Sequence, residues 1–104
     1  MISEAEVEKA LDYLRDHATK AAQARAEREY VEEFRKTMKA QIMKEHASES
    51  LGAQEREAYA DPRYIQHLQA LKEAVYADEY QRFMMAAAEA KISAWQTMSR
   101  NQRI

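Results

Sequence analysis

Three histidines, His17, His46 and His67, are the residues of this sequence best suited to bind a metal ion. A carboxylate-bridged metal site in a helical bundle takes Glu-x-x-His motifs from two of its helices. The positions three residues before these histidines hold Leu14, Met43 and Tyr64, and none of the three is a carboxylate. The sequence therefore predicts no metal site and no cofactor, and it favours ordinary surface or interface roles for the histidines.

Nucleophilic catalysis lacks the residues that it needs. There is no cysteine, and a serine nucleophile requires a base placed beside it. The serines are Ser3, Ser48, Ser50, Ser93 and Ser99, and they fall at caps, in a predicted turn or in helices with no evident partner base. We therefore expect no catalytic residues and a protein that is not an enzyme.

A basic stretch on the first predicted helix contains Arg35, Lys36, Lys39 and Lys44, with Tyr30 nearby. Such cations bind phosphates and a tyrosine stacks on a base, so this stretch is a candidate contact for nucleic acid or for another partner. The alternative is a solvated face that pairs with acids at helical spacing, which are Glu29, Glu32 and Glu33. The net charge of −2 favours that alternative, because proteins that read nucleic acid are usually strongly basic.

The composition predicts an all-α fold in a single domain over residues 1–104. One glycine and one proline lie far below average usage, while alanine and long helix-forming side chains abound. Both backbone breakers, Gly52 and Pro62, lie near the midpoint of the chain. The chain is therefore expected to fold back on itself there as a long antiparallel helical hairpin.

Local signals set the boundaries of the predicted helices. Ser3 followed by Glu6 is a capping box that starts a helix at about Glu4, and Asp61 before Pro62 is a second start signal. We predict helices over about 4–47 and about 62–99, with a turn or short helix over 48–61.

Apolar residues mark one stripe on each long helix, at intervals of three, four or eight on the first and of three, four or five on the second. On the first helix the stripe is Val7, Leu11, Leu14, Ala18, Ala22, Tyr30, Phe34, Met38 and Ile42. On the second it is Ile65, Leu68, Leu71, Val75, Tyr80, Phe83, Ala87, Ala90, Ala94 and Met98. These stripes are expected to form the contact between the helices.

A fold about residue 55 places residue i opposite residue 110 − i. Ala22 is then expected near Ala87 or Ala88, so that two alanine-rich segments face each other and allow close approach. The same register brings Phe34 level with Tyr76 and Tyr30 level with Tyr80. Trp95 is expected to be buried against Leu11, Leu14 and Arg15.

Apolar residues beyond these stripes indicate self-association. Val31, Tyr76, Met84 and Met85 widen the apolar surface past what one contact between two helices buries. Six methionines and six tyrosines fit either core filling in an oligomer or an exposed protein-binding face. We expect a dimer or higher oligomer that forms a helical bundle, and a protein partner.

The amino-terminal segment has acids where a signal peptide needs a basic region, and no apolar run approaches the roughly 20 residues of a membrane span. We expect no membrane contact and a cytoplasmic protein.

Residues 82–103, RFMMAAAEAKISAWQTMSRNQR, combine an alanine-rich helix with Ala90, Lys91, Ile92 and Trp95 and a polar end. This segment resembles the ending of small helical proteins of unknown function from tailed bacteriophages. The resemblance implies an accessory or inhibitory role toward host or phage nucleic-acid machinery, in the cytoplasm of a host cell, and it implies no catalytic residues.

Two functions remain as hypotheses. The first is a non-enzymatic helical protein that acts by protein–protein interaction. The second is a nucleic-acid-binding accessory protein in phage recombination or replication, which would use the basic stretch.

Overall fold

The computed structural model describes residues 1–102, which form three α-helices and no strand. Helix α1 spans Glu4–Glu45, α2 spans Leu51–Ala60 and α3 spans Pro62–Gln102. The two long helices lie antiparallel, and the molecule measures 76 × 23 × 15 Å. The prediction of an all-α hairpin with a short helix at its turn is confirmed.

Both predicted start signals act as helix caps. The Ser3 hydroxyl accepts a hydrogen bond from the Glu6 amide at 3.2 Å, and this satisfies one of the free N–H groups of the first turn of α1. At the start of α3, Asp61 Oδ1 accepts the Arg63 amide at 2.8 Å, and Pro62 occupies the first helical position.

Gly52 does not break the chain, which differs from the expectation. Helix α1 has already ended at Glu45, and Gly52 lies in the first turn of α2 with a negative φ. Ser50 sets the start of α2 instead, because its hydroxyl accepts the Ala53 amide at 3.2 Å. The reversal between α1 and α3 therefore takes in residues 46–50, α2 and the cap at Asp61.

Buried and half-buried residues recur along both long helices at alternating intervals of three and four, the spacing of an antiparallel coiled coil. On α1 they are Val7, Ala10, Leu14, His17, Ala21, Ala24, Arg28, Val31, Arg35, Met38 and Ile42. On α3 they are Tyr64, His67, Leu71, Ala74, Asp78, Gln81, Met85, Ala88, Ile92, Trp95 and Ser99. We call these two sets together the hairpin seam.

The seam differs from the predicted stripes, most of all on α3. The members of that stripe that prove exposed are Ile65, Leu68, Tyr80, Phe83, Ala87, Ala90 and Ala94. On α1 the exposed members are Leu11, Ala18, Ala22 and Tyr30. The stripes included only apolar residues, whereas the seam on α3 also uses the polar residues His67, Asp78 and Gln81.

The predicted register is wrong as well. Arg28 pairs with Asp78 and His67 bonds to Val31, so residue i lies opposite residues near 98 − i to 106 − i. Ala22 and Ala87 are exposed, whereas Ala88, the other expected neighbour of Ala22, is buried in the hairpin seam.

The aromatic pairs predicted with that register are absent from residues 1–102. Phe34 packs against His67, with ring centroids 5.7 Å apart, and not against Tyr76. Tyr30 and Tyr80 are both exposed.

Trp95 is half-buried and lines one groove with Glu4, in the first turn of α1. This agrees with the expectation that Trp95 is substantially buried against the amino-terminal third of α1. Leu11 and Arg15, two of the three neighbours expected there, are themselves exposed.

The best-packed part of the core lies at the turn, where all three helices meet. Ile42, Ala58 and Tyr64 form a buried cluster, and Met38 and Met43 pack against it. A short helix thus covers the end of the seam that the long helices alone would leave open.

Ile42 supplies the largest fully buried side chain, at 1% exposure. We predict that Ile42→Ala lowers the free energy of unfolding by about 2–5 kcal/mol, since it leaves a cavity in this cluster. Ile65→Ala, at a position that is 55% exposed, is the matched control and should change it by no more than about 0.5 kcal/mol. Urea denaturation followed by circular dichroism measures both, and equal effects would contradict the assignment of the core.

A network of ion pairs holds the start of α3 against the end of α1. Arg63 donates to Asp61 Oδ2 at 2.9 Å and to Glu45 Oε2 at 2.7 Å. The hydrogen bonds from the Arg63 side chain, and then from its amide, lower the pKa of Asp61 from 3.8 to about 2.

This lowered pKa predicts a pH-dependent contribution to stability. Since the folded state holds the proton of Asp61 more weakly than the unfolded state, the stabilisation is complete above about pH 5. It is lost as the pH falls through 3.8 toward about 2. Asp61→Asn keeps a capping side chain but removes the charge, so its denaturation midpoint should lie below that of the native chain at pH 7 and match it near pH 2.

Asp16→Asn, on the exposed side of α1, is the control and should show a much smaller dependence on pH. A difference between Asp61→Asn and the native chain that is the same at pH 7 and pH 2 would show that the charge of Asp61 does not stabilise the turn.

Candidate functional site

The side of α3 that points away from α1 carries a continuous apolar stripe. Its members are Tyr76, Tyr80, Phe83, Ala87, Ala90 and Ala94, and we call them the outer stripe. All six are exposed, with the aromatic side chains of Tyr76, Tyr80 and Phe83 at 74%, 51% and 70%. Their intervals alternate between four and three residues, so this side of α3 has the spacing of a second coiled-coil seam.

The corresponding side of α1 is different. At the same distance from the hairpin seam, α1 carries mostly polar residues, which are Lys9, Asp12, Asp16, Thr19, Gln23, Ala26, Tyr30, Glu33, Thr37, Ala40 and Lys44. Polar outer positions are typical of a helix that faces water. The apolar outer positions of α3 are therefore a property of that helix and not of long helices in this chain generally.

The four residues predicted for self-association separate into two pairs. Tyr76 and Met84 are exposed, and Tyr76 belongs to the outer stripe. Val31 is buried in the hairpin seam and Met85 is half-buried there. These two residues already pack inside the hairpin, so they cannot contribute to an outer contact while it is closed.

The middle of the hairpin seam holds a layer of charges. Arg28 Nη1 donates to Asp78 Oδ2 at 3.1 Å and to Glu79 Oε1 at 2.9 Å, and Asp78 is buried. Arg82 also donates to Glu79 at 2.8 Å. The hydrogen bonds to Glu79 and then Asp78 raise the pKa of Arg28, so this side chain stays charged.

A second polar contact crosses the seam nearer the hairpin turn. His67 Nε2 donates to the Val31 carbonyl at 2.7 Å, since a carbonyl oxygen only accepts. Near these layers the Gln81 Oε1 atom is buried with no hydrogen-bond partner in residues 1–102. The seam thus forgoes apolar packing at several positions where it makes polar contacts.

The basic stretch does not form one cationic surface. Arg35 is half-buried in the hairpin seam, and Lys36 pairs with Glu33 at 3.6 Å. At 3.6 residues per turn, the stretch from Arg35 to Lys44 spreads over roughly half of the circumference of the helix.

Two of the residues predicted to bind a partner have partners within the hairpin. Lys39 donates to the Tyr59 hydroxyl at 2.8 Å and lies 4.6 Å from the centre of its ring, and that bond raises the pKa of Lys39. Tyr30 is exposed and stacks on Phe34 at 6.0 Å. Lys44 is exposed on α1 near the turn.

The histidines make separate local contacts. His17 stacks on Tyr13 with ring centroids 4.0 Å apart, and His46 Nδ1 lies 2.8 Å from Glu49 Oε2. Within residues 1–102 no three side chains of the types that bind metals come together.

Comparison with protein-family models, with curated proteins and with solved structures finds no match. Over the part of the chain that the structure describes, no helix has the length and apolar character that crossing a membrane requires. The exposure and spacing of the outer stripe define the candidate site.

The signal for this stripe was present in the sequence. Tyr80, Phe83 and the three alanines were identified at helical spacing but assigned to the contact with α1. On α1 the corresponding outer positions are mostly polar. This difference between the two helices could have shown that α3 has an apolar outer side as well as a side that contacts α1.

Arg28 and Asp78 provide a test of what the charged layer does. We predict that Asp78→Ala lowers the free energy of unfolding by about 1.5–3 kcal/mol, because it removes a hydrogen-bonded partner of a charged group. The double variant Arg28→Leu/Asp78→Leu should be at least as stable as the native chain, since an apolar pair of similar size replaces the ion pair. Chemical denaturation decides this, and a double variant as unstable as Asp78→Ala would refute it.

Proposed function

We propose that this protein is a non-enzymatic interaction protein whose binding surface is the outer stripe of α3. The observation that carries the proposal is the exposure of Tyr76, Tyr80 and Phe83 on one side of a continuous helix. Aromatic side chains dominate the energetics of protein interfaces, and contiguous exposed apolar patches on soluble chains mark sites of interaction.

The hairpin is suited to present such a surface. Helix α3 is held along its length by the hairpin seam, and the charged layer of Arg28 and Asp78 fixes its position against α1. A surface built on a supported helix loses little conformational entropy when it binds. The outer stripe is therefore preorganised for a partner helix or groove.

Nucleic-acid binding is the second candidate that the sequence raised. The cations that it would use lie on different sides of α1, and Lys36 and Lys39 have partners within the hairpin. Phosphate contacts need cations that face the same backbone, so this arrangement favours the protein-binding function.

The resemblance of residues 82–103 to bacteriophage proteins suggests the setting. Ala87, Ala90 and Ala94 of the outer stripe belong to that segment. On this basis we propose an accessory or inhibitory role toward host or phage nucleic-acid machinery, in the cytoplasm of a host cell.

Site-specific photo-crosslinking in bacterial cells that express the protein tests the binding surface. A benzophenone amino acid at position 83 should give protein adducts, because Phe83 lies in the middle of the outer stripe. The same amino acid at position 23 is the matched control, since Gln23 is exposed on the outer side of α1, and it should give far fewer. Equal yields at both positions, or adducts with nucleic acid at position 83, would overturn the proposed function.

Binding to DNA and RNA is measured separately with the purified protein. Phosphate contacts give an affinity for nucleic acid that falls steeply as the salt concentration rises. We expect the protein to show no such salt-dependent binding. Such a salt dependence, reduced by Lys36→Ala and Lys44→Ala, would favour the nucleic-acid hypothesis.

A further inference from the structure

The outer stripe is complementary to itself. Its aromatic half, Tyr76, Tyr80 and Phe83, is followed by a half made of three alanines at the same alternating intervals. When a second copy of α3 runs antiparallel and pairs residue i with residue 170 − i, every aromatic residue meets an alanine. We propose that a second copy of this chain covers the outer stripe in this register, an inference that rests on the proposed function of the stripe.

The three layers follow from the register. Tyr76 lies opposite Ala94 of the second copy, Tyr80 opposite its Ala90, and Phe83 opposite its Ala87. Each layer occurs twice, because a twofold axis passes at the level of residue 85. A large side chain against a small one fills a helix contact without voids or clashes, which is how interdigitated cores are packed.

Met84, beside the stripe, fits the same arrangement. It is partly exposed and lies next to the twofold axis, where it meets Met84 of the second copy.

The polar ends of the stripe define where the contact stops. Glu73 and Thr97 continue the spacing of the outer stripe, and they lie opposite each other in the same register. The apolar part of the contact is centred on the twofold axis and has a polar rim at both ends, as in other protein interfaces.

The surface is large enough for a specific dimer. A fully covered aromatic side chain buries about 150–250 Å², so the six from two copies contribute on the order of 800 Å² at their observed exposure. Specific interfaces bury about 1,200–2,000 Å² in total. The alanines and Met84 add to this area.

A pair of size-swapping substitutions tests the register. Ala90→Tyr places a tyrosine against Tyr80 of the second copy, and Tyr80→Ala leaves a void, so each alone should weaken dimerisation by about thirtyfold or more. The double variant Tyr80→Ala/Ala90→Tyr restores one large and one small residue in each layer and should recover most of the affinity. Sedimentation equilibrium of the full chain measures all four proteins.

The size swap distinguishes a specific interface from non-specific hydrophobic association. A surface that associates through its apolar area alone associates more tightly with Ala90→Tyr, which adds an aromatic ring, and gains nothing from the double change. Tighter association of Ala90→Tyr, or failure of the double variant to recover while its helix content is unchanged, would overturn the register. Gln23→Tyr, on the outer side of α1, is the control and should leave the dimer unchanged.

Spin labels give the direction of the two helices. The chain has no cysteine, so Ala86→Cys and Gln96→Cys each place one label per copy. In the proposed dimer the residue 86 backbones lie about 10 Å apart, close to the helix spacing. The residue 96 positions are separated by 22 residues along the axis, or about 33 Å. Short distances at both positions would show a parallel dimer and overturn the proposal.

The photo-crosslinking experiment distinguishes the two levels of inference. Adducts at position 83 with a second copy of the chain support both. If the purified protein remains at 12.1 kDa from micromolar to millimolar concentrations while position 83 crosslinks to another protein, the proposed function stands and the self-pairing is overturned. A 12.1 kDa species with no preference for position 83 overturns both.

Discussion

The alternation of intervals of three and four residues along the hairpin seam determines which side of α3 faces water. Once Tyr64, Ala74, Asp78 and Ala88 are turned toward α1, every residue halfway around the helix must point outward. The charged layer fixes this choice, because Asp78 is buried and needs Arg28 beside it. If α3 rotated so that its aromatic residues faced α1, the carboxylate would lose the partner that it has in the seam.

This constraint gives α3 two seams with different chemistry. The one toward α1 mixes apolar residues with the polar residues His67, Asp78 and Gln81, and the one toward solvent contains tyrosines, a phenylalanine and alanines. A contact within one chain benefits from a short connection, so it tolerates polar residues that specify its register. A contact between separate chains has no such connection, so it has to rely on buried apolar area. The exposed aromatic residues of the outer stripe are suited to a contact of that kind.

Much of the fold followed from local signals in the sequence. Ser3 with Glu6 and Asp61 with Pro62 act at fixed spacing along the backbone, so their effect does not depend on the rest of the structure. The seam was harder to predict, because it depends on which of two apolar patterns on α3 meets α1. The pattern with Tyr80 and Phe83 is the more apolar of the two. The other pattern meets α1 because Arg28 and Asp78 form an ion pair, which the spacing of apolar residues does not reveal. The same error hid the candidate site, since the residues assigned to the core were the exposed ones.

The distribution of apolar residues bears on what the proposed association would do to stability. The buried cluster of Ile42, Ala58 and Tyr64 lies at the turn, while the opposite end of the seam has a half-buried Trp95. A partner on the outer stripe, as proposed, would bind only a helical α3, so it would stabilise the hairpin by an amount that grows with the partner's concentration. Folding of the hairpin and the proposed association would then be one linked equilibrium.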